Sequence, residues 1–263
     1  MLDLSIILPT CNRATLLEKC LASLSNLHCE HEIIVVDGAS TDHTPDVLSD
    51  ATRKLGSDRL KVIHESSREG FVRAANRGFR AAQGRCMTWL NDDARPLRST
   101  LESAIQILDG QNENVAFVAM FHAWQSTMNV AFETEHRGRM YRLCHVRGTL
   151  YANFPMGYRE TYHRLNYFDE RFFFCGADPD LSLKAWYAGM TIVPAWGCMI
   201  DHDQTEDDRR AEDVVRRDED NRRLFSKWDL PPKNMYHNDF DAARPCTLRC
   251  LPKPANVAIR VAV

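Results

Sequence analysis

The pattern that most constrains this chain is a repeated ending. Short apolar runs stop abruptly on carboxylates or turn residues, and each is followed by a segment of helical spacing. Leu4-Ser5-Ile6-Ile7-Leu8 is broken by Pro9-Thr10, and Leu16, Leu17, Cys20, Leu21 and Leu24 then recur as on one helix face. His31 to Asp37 predicts a second strand ending on a carboxylate, Gly38 to Asp42 is turn chemistry, and a helix is expected through Leu55. Leu60 to His64 predicts a third strand, and Phe71 to Ala82 a helix with Gly84 as its stop. The run Arg85 to Pro96 begins apolar and closes on Asn91-Asp92-Asp93. Strands alternating with helices imply right-handed crossovers and a mainly parallel sheet, an α/β fold. Parallel strands share a carboxyl edge, and ligands of open α/β sheets collect beyond it. Pro9-Thr10, Asp37 and Asp92-Asp93 therefore fall on one edge.

That edge suggests a nucleotide site of a particular kind. No GxGxxG follows the first strand and no GxxxxGK[ST] occurs anywhere, so a phosphate site must be built from metal and side chains. Magnesium and manganese accept one or two carboxylates together with substrate phosphates. The plainer account of Asp92 and Asp93 is turn formation, with Pro96 closing the turn. With 263 residues the chain can bury a substantial core, and its formal charge of -3 supplies no basic field for nucleic acid. No apolar run approaches the roughly 18 residues of a membrane span, and the N-terminus lacks a signal-peptide pattern. The nine cysteines include no CxxC pair, which leaves zinc and dithiol chemistry without support and points to a cytoplasmic setting.

Several motifs in register resemble the family 2 glycosyltransferases of the GT-A fold. They are Ser5 to Arg13, Val35 to Asp42, Glu69-Gly70 with Ala74 to Gly78, Leu90 to Asp93, Phe168 to Phe173 and Gly176 to Lys184. The resemblance covers roughly the first 200 residues and implies a Rossmann-like, mainly parallel sheet flanked by helices. It implies donor contacts from Pro9, Thr10, Arg13, Asp37, Arg73, Asn76, Asn91 and Asp92. Asn91-Asp92-Asp93 looks like the family's DxD element, with Asp93 as the direct ligand of a divalent cation, Mn2+ or Mg2+, and His202 as a second metal contact. Asp178 corresponds to the family's base. The Glu that precedes it in the family is Ala177 here.

Asp178-Pro179-Asp180 also suits a helix start, with Asp178 as N-cap and Gly189 as the stop. Arg137, Arg139, Arg142 and Arg147 read as a solvated face, with contact to an anionic acceptor or headgroup as the alternative. Val115 to His122 and Met190 to Trp196 predict strands. Thr205 to Lys227 predicts a solvated charged helix with Val214, Val215, Leu224, Phe225 and Trp228 turned inward. The domain expectation is 1–230, divided into a nucleotide-binding half (1–96) and an acceptor half (97–230), with 231–263 as an extension holding a terminal strand or oligomer contact near Val257 to Val263.

The resulting expectation is an inverting, metal-dependent enzyme moving a sugar from a nucleotide-diphosphate donor, a UDP-sugar, to a saccharide or lipid-linked acceptor. Peripheral membrane association and a homo-oligomer are left open. The rivals are a sugar-nucleotide-binding protein without turnover, suggested by Asn91 and Ala177, and a nucleotidyltransferase.

Overall fold

The computed structural model describes residues 2–125, 129–204 and 207–229. The expected 231–263 extension lies outside them. The first half of the chain follows the predicted alternation closely: β1 (Leu4–Thr10), α1 (Ala14–Ser23), β2 (His31–Asp37), α2 (Thr44–Leu55), β3 (Leu60–His64), α3 (Phe71–Ala81) and β4 (Cys86–Trp89). β5 (Ala94–Pro96) and α4 (Thr100–Asp109) follow, then β6 (Val115–Ala123), β7 (Val130–His136), β8 (Arg139–Val146), β9 (Thr149–Leu150) and β10 (Pro155–Tyr158). α5 (Arg159–Arg164), α6 (Ala177–Tyr187), β11 (Thr191–His202) and α7 (Asp208–Trp228) complete the described chain.

β1, β2, β3 and β4 are parallel, with β1 between β2 and β4. Every residue of β1 and β2 is buried, because helices cover both faces of a parallel sheet; this is why the two strands read as continuous apolar runs. The sheet continues through β10, antiparallel to both β4 and β6, and on to β11 and β5. One sheet thus runs through both halves of the chain. Pro9 and Thr10 belong to β1 itself rather than to its exit loop, and Thr10 pairs in register with Asp37.

Three expectations need correction. Met190 to Trp196 is only the first part of β11, which bulges between Ala195 and Met199 and ends at His202. The basic stretch is a solvated face only in part, since Arg137 and Arg139 are exposed while Arg142 and Arg147 are largely covered. It lies on the β7–β8–β9 hairpins, where Arg139 pairs with Asp201 at 2.8 Å, Arg142 with Glu133 at 3.2 Å, and Arg147 is buried. α7 is likewise more than a solvated helix: Asp213 pairs with Arg68, and Lys227 reaches Asp180 at 2.7 Å. Leu224 and Trp228 pack inward as expected, whereas Val215 is exposed.

Candidate active site

The carboxyl edge of β1 and β4 opens into a cavity of about 240 Å³ lined by Pro9, Thr10, Arg13, Asn91, Asp92 and Asp93, with Asp178 and His202 from the second half. Asp93 and His202 are far apart in sequence. They meet because β5 pairs antiparallel with β11, placing Ala94 opposite His202. His202 Nε2 lies 3.2 Å from Asp93 Oδ1 and 3.3 Å from the Asn91 side-chain amide. The His202 ring sits edge-on to Phe154, with centroids 5.2 Å apart, so packing orients it.

Asp92 has a different role from its neighbour. It accepts hydrogen bonds from Thr10 Oγ1 at 3.0 Å and Arg13 Nη1 at 2.7 Å, tying the ends of β1 and β4 together. Burial pushes its carboxyl pKa up, and the Arg13 charge pulls the other way. Arg13 also lies 3.4 Å from Asp93 and donates to Asp207 at 2.6 Å. A carboxylate, an imidazole nitrogen and an amide that can present its oxygen form a donor set suited to Mn2+, while Mg2+ would use the oxygens alone. Among the described residues no three His, Cys, Asp or Glu side chains are grouped to hold a metal. A cation here would therefore complete its shell with substrate phosphate oxygens, as small hard cations commonly do.

Asp178 is not the N-cap. α6 starts at Ala177, Gly176 is the capping residue with φ of 81°, and Asp178 sits inside the first turn without a side-chain capping bond. Its carboxylate is left for the cavity. Burial pushes its pKa up to about 6, while a backbone hydrogen bond opposes the shift. A carboxylate tuned toward neutrality is suited to accept a proton. Ala177, the residue before Asp178, is fully buried.

The loop before α6 is clamped from two sides. On one side Asp220 of α7 accepts backbone N–H bonds from Phe173, Phe174 and Cys175 at 2.9–3.2 Å. On the other, Gly70 adopts φ of 95°, and a Cβ there would come within 2.6 Å of the Phe173 carbonyl oxygen. A side chain at Gly70 would thus meet both a left-handed backbone and a steric block.

Two expected donor contacts lie elsewhere. Asn76 is a structural bracket: its amide donates to the Phe168 carbonyl at 2.9 Å and accepts from the Phe168 N–H at 3.0 Å, buried beneath the aromatic core. Arg73 is half exposed on α3, 3.6 Å from Glu69, and does not line the cavity. In both cases the helix turns the residue away from the strand ends. Asp37 stands just behind the lining residue Gly38, accepting from the Ser40 N–H at 3.1 Å and lying 3.2 Å from His64 Nδ1. Glu65, Arg68, Trp124, Asn153 and Arg209 line the cavity without having been singled out from sequence. Arg68 follows a strand end, a position that could have flagged it. Arg209 was hidden in a charge-dense helix.

The sequence profile described as Glycosyl transferase family 2 matches residues 5–172. The architecture and this strand-end site define the GT-A class of fold. This chain belongs to glycosyl transferase family 2. It is 34% identical over 110 residues to a PGL/p-HBAD biosynthesis glycosyltransferase of Mycobacterium bovis, covering 41% of this chain and 42% of that protein. It is 35% identical over 108 residues to the GalNAc(5)-diNAcBac-PP-undecaprenol beta-1,3-glucosyltransferase of Campylobacter jejuni, covering 40% and 34%. The matched region thus spans well under half the length of these relatives. Among solved structures, a mannosyltransferase from Pyrobaculum calidifontis in complex with GDP-Man and Mn2+ superposes with a TM-score of 0.63 at 22% identity, covering 88% of this chain and 67% of that one. S. aureus TarS 1-349 in complex with UDP-GlcNAc superposes at 0.60 with 20% identity, covering 93% and 69%. These likenesses concern the fold.

Proposed function

We propose that the protein is an inverting glycosyltransferase that takes a sugar from a nucleotide-diphosphate donor, a UDP-sugar, and passes it to an acceptor hydroxyl. The observation that carries this reading is the sharing of one cavity by the strand-end set Asn91, Asp93 and His202 and by the half-buried carboxylate of Asp178. Asp93 and His202, with Asn91, would hold a divalent cation, which when bound supplies positive charge for the departing diphosphate. Arg13 holds Asp92 in place, and Pro9 and Thr10 form the adjoining wall.

In the chemical step Asp178 accepts the proton of the acceptor hydroxyl. The acceptor oxygen forms a bond to the anomeric carbon, the bond from that carbon to the phosphate oxygen breaks, and its electron pair leaves with the nucleoside diphosphate. Attack from the side opposite the leaving group inverts the anomeric centre. The base that this displacement needs is assigned to Asp178, whose carboxylate makes no side-chain capping bond and lines the cavity. The Campylobacter relative, named for an undecaprenol-linked substrate, supports a lipid-linked saccharide acceptor and a place at a membrane surface. Among the described residues no helix is long and apolar enough to cross a membrane.

The test is Asp93→Ala in the full chain, with UDP titrated in the presence and absence of Mn2+ and with UDP-sugar turnover followed by released UDP. Mn2+-dependent affinity and turnover should both be lost in a folded protein. Undiminished Mn2+-dependent UDP binding by the folded variant removes the metal assignment. A wild type that binds a UDP-sugar and never releases UDP, with or without acceptor, is a binder and not an enzyme.

A further inference from the structure

A second cavity, of about 320 Å³, adjoins the first. The two share Trp124, Asn153, Cys175 and Asp178, so the carboxylate of Asp178 stands at their junction. Cys144 of β8 and Asn221 and Leu224 of α7 line its far side. Its volume lies in the range of small-molecule sites.

Its lining is unusual in composition. Trp124 and Tyr151 offer aromatic surface, and Leu224 and Cys144 are apolar. Asn129, Asn153 and Asn221 add neutral donor and acceptor groups. Two buried polar atoms have no hydrogen-bond partner among the described residues: Asn129 Oδ1 and His122 Nδ1. Both residues line this cavity and are only 5% and 2% exposed. Buried polar groups are normally satisfied, and an orphan beside a cavity is open to whatever polar atom enters it, from a water or from a ligand.

These features exclude two of three ligand chemistries. A hydrocarbon chain would leave Asn129 and His122 unsatisfied and bury the other amides against it, at a cost for each. An anionic ligand would meet Asp178, and among the described residues the only permanently cationic side chain in the lining is the exposed Arg217. A neutral ring bearing several hydroxyls satisfies all of it: its polar edge reaches the amides, and its C–H face lies on an aromatic ring.

We propose that this second cavity is the acceptor subsite and takes the terminal sugar ring of a neutral glycoside, with one hydroxyl presented to Asp178. The inference rests on the donor reading of the first cavity, and its chemistry comes from Asn129, Tyr151 and Asn221. Recognition is then confined to the uncharged ring, and any phosphate or lipid of a larger acceptor stays outside.

The experiment uses the full chain with Mn2+ and UDP present. Methyl glycosides of glucose, galactose, mannose, rhamnose and N-acetylglucosamine are titrated by saturation-transfer NMR, beside the corresponding glycosyl 1-phosphates and a short prenyl phosphate. At least one neutral glycoside should bind saturably. Tyr151→Ala and, independently, Asn221→Ala should weaken it by tenfold or more while UDP affinity stays within twofold of wild type. Asn221 is half-buried on α7, so that variant remains informative if Tyr151→Ala fails to fold. The inference is overturned if no neutral glycoside binds a protein that binds UDP and Mn2+, if both variants bind glycoside as wild type does, or if glycosyl phosphates or prenyl phosphate bind while neutral rings do not. Failure of the donor reading has its own signature, an absence of UDP binding in the same sample.

Discussion

Replacing Asp178 by Asn should make this protein more stable and inactive at once. The side chain is half-buried, and burial raises its pKa from 3.8 to about 6. A raised carboxylate pKa means that the folded state holds the proton more tightly than the unfolded chain does. Stability then falls as pH rises from about 4 to about 6, and above that the ionised carboxylate carries its full desolvation cost. A shift of about two units corresponds to about 3 kcal/mol at 1.36 kcal/mol per unit. Partial access to solvent through the cavity lowers this to about 1–3 kcal/mol. The amide cannot ionise, so Asp178→Asn should recover that amount at pH 7.5 and almost none near pH 4. For a domain of this size the gain corresponds to a rise in Tm of about 2–10 °C. The assay is a pair of melting curves for each protein at the two pH values, without metal or nucleotide, followed by transfer measurements. Transfer should drop by about 10²–10⁴-fold with UDP affinity retained. In the wild type, transfer should rise with pH through about 6 as Asp178 deprotonates. A variant no more stable than wild type at pH 7.5, or equally stabilised at both pH values, would refute the desolvation argument. Wild-type transfer by the variant would refute the base.

Asn76→Ala should cost about 2–4 kcal/mol in chemical denaturation, because it orphans both backbone groups of buried Phe168. UDP affinity of the folded fraction should be unchanged, and a selective loss of affinity would restore Asn76 to the donor site. Asp220→Ala removes the acceptor for three backbone N–H groups and the partner of Arg223 at 3.1 Å. It should destabilise by about 3–5 kcal/mol and lower transfer more than UDP binding, read from denaturation and titration of one sample. Arg209 lines the first cavity, and its buried Nε has no partner among the described residues. Arg209→Met should weaken UDP binding by about 10–100-fold, the scale of a charge-assisted hydrogen bond; calorimetry that finds equal affinity would remove Arg209 from the diphosphate.

Lys184 illustrates how readily a helix-face argument stops short. The spacing of Leu181, Lys184, Ala185 and Ala188 suggests one packed face of α6 with the Lys184 stem along it, but the helix is buried on every side from Pro179 to Ala185 and Ala188 is half-buried. The ammonium is buried too, donates to the carbonyls of Leu165 and Tyr167, and has its pKa lowered to about 8 by burial. Sequence periodicity proposes a face but does not say how much of the helix the rest of the fold will cover.

The chain's own order determined the parallel edge. Strands β1, β2 and β4 are short and mainly apolar, and they end at Thr10, at Asp37 and just before Asn91-Asp92-Asp93. Local patterning suffices for that, since period and turn chemistry are properties of neighbouring residues. Asp178 could also be placed near a helix start from the same local cues, although the cap itself proved to be Gly176. What the tertiary structure alone decided is which distant residues meet. His202 reaches Asp93 through the β5–β11 pairing, and β5 is three residues long, too short to leave a periodic signal. Asp220 grips the loop before Asp178 because α7 folds back across the site, and nothing in a run of Arg, Asp and Glu says which of its charges will be buried. The second cavity is assembled from β6, β8, α6 and α7 together with the loop segments that carry Asn129, Tyr151 and Asn153. Its walls are contributed by residues far apart in the sequence, so it exists only once the chain has closed on itself.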